Sequence, residues 1–213
     1  MERLTKLANK YSTDKGTSHW YAHGFTDFYE PYFKKYENPT ILEIGTADGA
    51  SAKMLNDFYD GECTIYTLDI VHADVETENI HFFQIDSSNV EEIDKLLNGP
   101  LAGIEFDIII DDASHLWDHQ MINIYFFGKR LKKTGIYVME DIHTSYQMSQ
   151  TGKNYENSPL YFLNFFEGGF GLYEHEKAEL VNSIKDVVIF NRYNEKNEKK
   201  FKQRSITAII TFK

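Results

Sequence analysis

Apolar and polar positions along the chain follow two alternating patterns. Short, mostly apolar runs alternate with longer stretches in which apolar side chains recur at helical spacing. The short runs predict strands and the longer stretches predict helices. Predicted strands cover residues 40–45, 63–69, 80–86, 106–111 and 135–140, and predicted helices cover residues 3–11, 25–35, 50–59, 90–97 and 117–131. Regular alternation of this kind is typical of a parallel sheet with right-handed crossover connections.

The pattern changes after residue 141. Residues 142–157 are polar without a clear period, which predicts a loop, and residues 160–180 predict helix interrupted at Gly168 and Gly169. Residues 187–193 and 205–212 predict two strands whose link is too short for a crossover helix, so they should pair as an antiparallel hairpin. The predicted fold class is therefore α/β, a Rossmann-like doubly wound sheet of seven strands, mostly parallel with a C-terminal antiparallel hairpin. We expect one compact domain, in which residues 1–36 cover a ligand site formed by residues 37–213.

Acidic residues end two of the predicted strands. Asp111 and Asp112 follow the fourth strand, and Glu140 and Asp141 follow the fifth. The carboxyl ends of strands form the ligand-binding edge of open α/β sheets. Carboxylates held close together repel each other, and a hard divalent cation relieves that repulsion. The sequence therefore predicts a metal site at this edge, with His115 three residues after Asp112.

A second set of residues follows the first three strands. Glu43, Gly45 and Gly49 surround the turn after the first strand, where glycine lets a backbone approach a ligand closely. Asp69 ends the second strand, where a carboxylate can accept hydrogen bonds from ribose hydroxyls. Asp86 and Ser87 end the third strand, where they would meet an adenine edge. The Gly-xxx-Gly spacing is wrong for a dinucleotide site, and Glu43 would oppose a phosphate. S-adenosylmethionine, which is cationic and has no phosphate, fits better; the alternative is that Asp69 and Asp86 only cap helices.

Charge and cysteine content narrow the function classes. The chain has 33 Asp and Glu against 22 Lys and Arg, a formal charge of −11, which disfavours nucleic acid and anionic membranes as partners. Cys63 is the single cysteine, so no internal disulfide forms. There is no apolar run of membrane-spanning length and no signal-peptide pattern. We therefore expect a cytoplasmic protein.

Three motifs together resemble a known family. They are residues 12–17 with His19, residues 111–115, and residues 140–146. With the glycine turn, they make the chain similar to class I S-adenosylmethionine-dependent methyltransferases. More narrowly, the chain resembles the metal-dependent sugar O-methyltransferases, which include enzymes acting on macrocin and mycinamicin precursors and relatives in bacterial polysaccharide clusters.

The resemblance implies a role for each matching residue. It implies S-adenosylmethionine and a divalent metal, Mg²⁺ or Mn²⁺, as cofactors, and a small-molecule sugar as the acceptor. His115 falls on the family's general base. The implied metal ligands are Asp112, Glu140 and Asp141, and the cofactor-binding residues are Thr13, Lys15, Glu43, Gly45, Gly49, Asp69, Asp86, Ser87 and Asp111.

Other functions stay open at this point. A catechol-type O-methyltransferase would use the same metal, because any vicinal diol can bridge it. A nicotinamide-dependent oxidoreductase is disfavoured by the glycine spacing and by the lack of a Tyr-xxx-Lys pair after the fourth strand. A binding protein without catalysis would not need His115 beside its metal. His119 and His143 are interpreted either as partners of the metal ligands or, in preference, as surface residues of a helix and a loop, and a homo-oligomer is possible.

Overall fold

The computed structural model describes residues 2–147, 154–191 and 205–213. Most of the predicted link between the last two strands lies outside these ranges. The helices are α1 (Arg3–Tyr11), α2 (Thr26–Phe33), α3 (Ala50–Phe58), α4 (Val90–Asn98), α5 (Trp117–Gly128), α6 (Pro159–Phe165) and α7 (Glu174–Ser183). The strands are β1 (Thr40–Ile44), β2 (Thr64–Asp69), β3 (Ile80–Gln84), β4 (Phe106–Asp111), β5 (Leu131–Met139), β6 (Ile184–Asn191) and β7 (Ile206–Phe212).

The strands form one mixed sheet in the order β3-β2-β1-β4-β5-β7-β6. Strands β1 to β5 pair in parallel, and β7 pairs antiparallel with both β5 and β6. The predicted fold class and the C-terminal antiparallel pair are thereby confirmed. The strand order reverses between β1 and β4, and ligands of open α/β folds bind at such a reversal.

Two apolar layers cover the two faces of the sheet. Alternate residues of a strand point to opposite faces, so Leu42 and Ile109 enter one layer while Ile41 and Ile108 enter the other. The second layer also contains buried side chains of α1 and of the segment that includes α2, namely Leu4, Ala8, Phe25, Tyr29 and Phe33. The N-terminal segment therefore shares a core with the central strands.

Helix α5 ends earlier than the sequence predicts. The predicted helix over residues 117–131, with basic residues in its last turn, is wrong, because α5 ends at Gly128 and β5 begins at Leu131. The ring of Phe212 lies against Gly128 so closely that a Cβ there would meet it at 2.8 Å. The carbonyl of Arg130 accepts the backbone N–H of Phe106 at 2.8 Å. Contacts with neighbouring strands thus draw the basic residues out of the helix.

Smaller differences affect the C-terminal half. The predicted loop over residues 142–157 contains short 3-10 helices at Ile142–Tyr146 and Tyr155–Asn157, while residues 148–153 lie outside the described ranges. Strand β6 begins at Ile184, directly after α7, instead of at residue 187. Within the described ranges, no helix is both long and apolar enough to cross a membrane.

Candidate functional site

A cavity of about 630 Å³ opens at the carboxyl ends of β1, β2 and β4. Its volume lies within the usual range for small-molecule sites, roughly 300–1,000 Å³. The walls come from the segment after α1 and from the residues that follow β1, β2, β3 and β4. The predicted cofactor residues that line it are Thr13, Lys15, Gly45, Asp69, Asp86 and Ser87, and the predicted metal residue Asp112 lines it too.

The turn after β1 requires glycine for a definite reason. Gly45 has a φ of +98°, and a Cβ at this position would overlap the backbone carbonyl of Asp112. Gly49 has a φ of +75°, and a Cβ there would collide with Val75. Gly49 caps α3 without lining the cavity. The close approach at Gly45 brings the end of β4 directly against the cavity.

Asp69 and Asp86 both have partners within the chain. The carboxylate of Asp69 accepts the backbone N–H groups of Thr46 at 2.9 Å, Ala47 at 3.0 Å and Val71 at 2.9 Å. Asp86 accepts the N–H and hydroxyl of Ser88, whose hydrogen bonds hold the pKa of Asp86 below its usual range. Each carboxylate offers about four lone pairs, so these bonds leave room for a ligand. Asp69 therefore shapes the glycine turn and also faces the cavity.

Lys15 joins the cavity to a group of acids. Its side chain is almost completely buried, and its ammonium forms ion pairs with Asp112 and, at 2.9 Å, with Oε2 of Glu140. The resemblance placed Lys15 among the cofactor-binding residues. Its pairing with two of the predicted metal ligands was not foreseen, because nothing local in the sequence marks a contact across 97 and 125 residues.

Asp112, Glu140 and Asp141, here called the acid cluster, meet where β4 and β5 end. One ligand atom from each of Asp112, His115 and Asp141 lies within 4.8 Å of the others. His115 Nε2 is 3.5 Å from Asp141 Oδ2 and 3.9 Å from Asp112 Oδ1. Glu140 Oε1 is buried and accepts no hydrogen bond from the described residues.

The electrostatics of the acid cluster suit a cation. Burial and the charge of Asp112 raise the pKa of Glu140 well above its usual range. Burial acts in the same direction on Asp141, but the nearby imidazoles of His143, His23 and His115 outweigh it and lower its pKa to about 2. The carboxylate of Asp141 is thus ionised, whereas Glu140 has too little positive charge nearby to balance its own. Carboxylate oxygens whose negative charge is not balanced are the kind of ligand that Mg²⁺ and Mn²⁺ prefer.

Glu43 and Asp111 lie beneath the cavity and do not line it. Both are buried, and burial raises the pKa of each to about 7. Asp111 accepts hydrogen bonds from Asn123 at 3.1 Å and Tyr137 at 2.9 Å. Lys15 opposes the upward shift at Glu43. Neither acid therefore contacts the cavity directly.

Two residues beside the cavity have a left-handed backbone. His115 has a φ of +57° and Asp141 a φ of +53°. This conformation is unfavourable for residues other than glycine and tends to persist at functional positions. The hydroxyl of Thr144, one residue after His143, donates to the carbonyl of His115 at 3.1 Å and ties the two turns together.

Several histidines lie closer to the site than expected. His143 Nδ1 is 3.4 Å and His23 Nδ1 is 3.5 Å from Asp141 Oδ1. His119 lines the cavity and contacts the Ser114 hydroxyl at 2.8 Å. His143 thus follows the alternative interpretation, as a partner of a proposed metal ligand, whereas His119 is partly exposed at the wall of the cavity. His23 was missed, although the crowding of special residues between 11 and 24 was a usable signal.

The fold is that of class I S-adenosylmethionine-dependent methyltransferases. The solved structure of the MycE methyltransferase from the mycinamycin biosynthetic pathway, in complex with Mg and SAH, matches with a TM-score of 0.71 and 22% identity. That match covers 99% of this chain and 55% of the other. An O-methyltransferase from Bacillus cereus in complex with SAH matches with a TM-score of 0.56 and 10% identity, over 98% of this chain and 90% of the other.

Sequence comparison confirms the resemblance to sugar O-methyltransferases. Mycinamicin VI 2''-O-methyltransferase of Micromonospora griseorubida is 33% identical over 156 residues, which are 67% of this chain and 37% of the relative. Demethylmacrocin O-methyltransferase of Streptomyces fradiae is 31% identical over 156 residues, again 67% of this chain and 37% of the relative. The chain thus spans just over a third of the length of these curated relatives. No family model matches the chain.

Proposed function

We propose that this chain transfers the methyl group of S-adenosylmethionine to a hydroxyl of a sugar, with the help of a divalent metal. The observation that carries the proposal is the contact between the cavity and the acid cluster. Asp112 belongs to both, and Lys15 lines the cavity and pairs with two acids of the cluster, so a cofactor in the cavity and a metal at the acids would lie side by side. The similarity to enzymes that methylate mycinamicin VI and demethylmacrocin supports a sugar acceptor.

The cavity suits a cofactor without phosphate. Asp69, Asp86 and Asp112 line it, and the ammonium of Lys15 is paired with two carboxylates. An anionic dinucleotide would meet repulsion there, whereas the ammonium and sulfonium of S-adenosylmethionine would be attracted. Asp69 would accept hydrogen bonds from the ribose hydroxyls, and Asp86 and Ser87 would lie near the adenine. Glu43 and Asp111 would lie beneath the cofactor, where its positive charge would favour their ionised forms.

The acid cluster would hold the metal through Asp112, Glu140 and Asp141. A divalent cation there would lower the pKa of a bound sugar hydroxyl and fix its orientation. His115 then has the position of a general base, because its Nε2 points into the cluster at 3.5 Å from Asp141. As the imidazole takes the hydroxyl proton, the carboxylate of Asp141 stabilises the positive charge that forms.

The acceptor class is tested by methyl transfer from labelled S-adenosylmethionine. Purified protein with Mg²⁺ is offered neutral glycosides, nucleotide-linked sugars and catechol, and methylated products are identified by mass spectrometry. We expect transfer to a sugar hydroxyl and little to catechol. Turnover on catechol alone would favour the catechol-type enzyme, and binding of NADH in place of S-adenosylhomocysteine would favour an oxidoreductase.

Asp69 tests the position of the cofactor. Changing Asp69 to alanine should weaken binding of S-adenosylhomocysteine by about 1.5–3 kcal/mol, the usual value of hydrogen bonds to a charged group. The change removes ribose acceptors and also the bonds that shape the glycine turn. Titration calorimetry measures the affinity, and Asp60→Ala, a change of an exposed acid, is the control. Equal affinity in wild type and Asp69→Ala would place the cofactor elsewhere.

Absence of nucleic-acid binding, a cytoplasmic location and a possible homo-oligomer stay predictions. The acidic composition supports the first, since a phosphate backbone would be repelled. The division into a covering segment, residues 1–36, and a main body, residues 37–213, is likewise part of the proposal. The wall of the cavity formed by Thr13, Asp14 and Lys15 supports it.

A further inference from the structure

The segment between α1 and α2 forms a braced loop that projects two aromatic rings into solvent. This aromatic loop, residues 14–24, is closed at its base by backbone hydrogen bonds from His23 to Asp14 at 2.7 Å and from Gly24 to Gly16 at 2.9 Å. Asn9 of α1 accepts the N–H groups of Thr17 at 2.8 Å and Ser18 at 2.9 Å. The tip of the loop is therefore held by the helix that precedes it.

The tip carries Trp20 and Tyr21, which are 73% and 42% exposed. Exposed aromatic side chains that lie next to each other are informative, because contiguous apolar patches can mark binding surfaces. Their orientation is defined, because the N–H of Tyr21 donates to Nδ1 of His19 at 3.1 Å. His19 itself lines the strand-end cavity.

A continuous series of rings connects this tip to the acid cluster. The centroid of Trp20 is 5.1 Å from that of Tyr21, and Tyr21 is 5.7 Å from His23, both edge to face. His23 lies 3.5 Å from Asp141, and its other face stacks on buried Phe25 at 4.9 Å. Two ring contacts therefore separate the exposed indole from a residue that touches a proposed metal ligand.

We propose that Trp20 is a stacking platform for the sugar ring of the acceptor. The inference rests on the proposed sugar methylation and adds where and how the sugar binds. A pyranose has an apolar C–H face that packs against an aromatic ring while its hydroxyls stay in water or reach a metal. His23, which contacts both Tyr21 and Asp141, connects such a platform to the acid cluster. The platform supplies the apolar contact that the acid cluster cannot offer.

The two tryptophans of the chain make the platform directly observable. Trp117 is 1% exposed, so a neutral quencher such as acrylamide reaches mainly Trp20. The probes are methyl pyranosides of rhamnose, glucose and mannose, added to protein with Mg²⁺ and S-adenosylhomocysteine. We expect at least one of them to protect the accessible fluorescence from acrylamide. In Trp20→Phe the accessible component should be absent with and without sugar.

Kinetics with the best methylated glycoside provide a second readout. Trp20→Ala should raise KM about tenfold and leave kcat nearly unchanged, because stacking holds the sugar equally in the ground state and the transition state. Trp20→Phe keeps a ring and should stay within about threefold of wild type. Affinity for S-adenosylhomocysteine should not change in either variant. Tyr173→Ala removes a ring of similar exposure, 74%, just before α7, and is the matched control.

The possible outcomes separate this inference from the proposed function. If wild type methylates a glycoside but Trp20→Ala has an unchanged KM, the platform is wrong and the sugar methylation stands. If wild type methylates no glycoside, the proposed function fails, and the quenching experiment still decides the platform. Unchanged quenching with every glycoside would overturn the platform in either case.

Discussion

Removal of divalent metal is expected to abolish methyl transfer, and added Mg²⁺ or Mn²⁺ to restore it. The acid cluster brings three carboxylates together beside His115, and the buried ammonium of Lys15 pairs with only two of them. Without a metal, a sugar hydroxyl would meet uncompensated negative charge and would keep its proton. The measurement is the initial rate after exhaustive chelation and again after titration with each metal.

A point substitution separates the metal from the cofactor. Asp141→Asn should lower metal affinity about 10–100-fold or more, and affinity for S-adenosylhomocysteine much less, because Asp141 lies outside the cavity wall. Both affinities are measured by titration calorimetry, with Asp60→Asn as the exposed control. Full activity after exhaustive chelation would contradict the metal mechanism and leave the acids with structural roles.

Changing His115 to alanine is expected to lower kcat by about 10²–10⁴-fold, the usual contribution of a positioned general base. Its Nε2 lies 3.5 Å from Asp141 and 3.9 Å from Asp112, at the mouth of the acid cluster. Metal and cofactor affinity should change little, since neither is proposed to depend on the imidazole. Rates under saturating cofactor, acceptor and metal provide the test.

Two further variants are controls for the His115→Ala measurement. His119→Ala removes another histidine near the cavity, one that contacts Ser114, and should reduce kcat far less. His115→Asn keeps a polar side chain that tolerates the left-handed backbone but cannot accept the proton. A His115→Ala protein that folds, binds both ligands and turns over within about threefold of wild type would assign the proton to water or a carboxylate.

The strands and their acidic ends could be predicted because the information is local. A short, mostly apolar run such as residues 106–110, rich in isoleucine, favours a strand buried on both faces, and the acids that follow then lie at the sheet edge. Once β4 and β5 are neighbours, Asp112 and Glu140 meet without further information. The same reasoning placed Asp69 and Asp86 beside the glycine turn, and both line the cavity.

The remaining features depend on contacts between distant residues. The end of α5 is set by packing against Phe212 and by pairing with β4. Helix periodicity does not detect these contacts, so the predicted helix was three residues too long. The position of Lys15 between Asp112 and Glu140 depends on how the loop after α1 folds over the sheet. His23 reaches Asp141 through that same loop. Such placements follow from the tertiary fold and have no signature in the spacing of residues.

The crowding of charge around Lys15 also constrains how this protein could be engineered. Exchanging Glu140 for glutamine would relieve repulsion among the carboxylates of the metal-free chain while Lys15 keeps Asp112 as its partner, so this change would tend to improve heat resistance. A library selected for heat resistance without metal would therefore enrich variants in which Glu140 is neutralised. Including Mg²⁺ during selection reverses this preference, because a cation that binds only the folded chain adds its binding energy to stability.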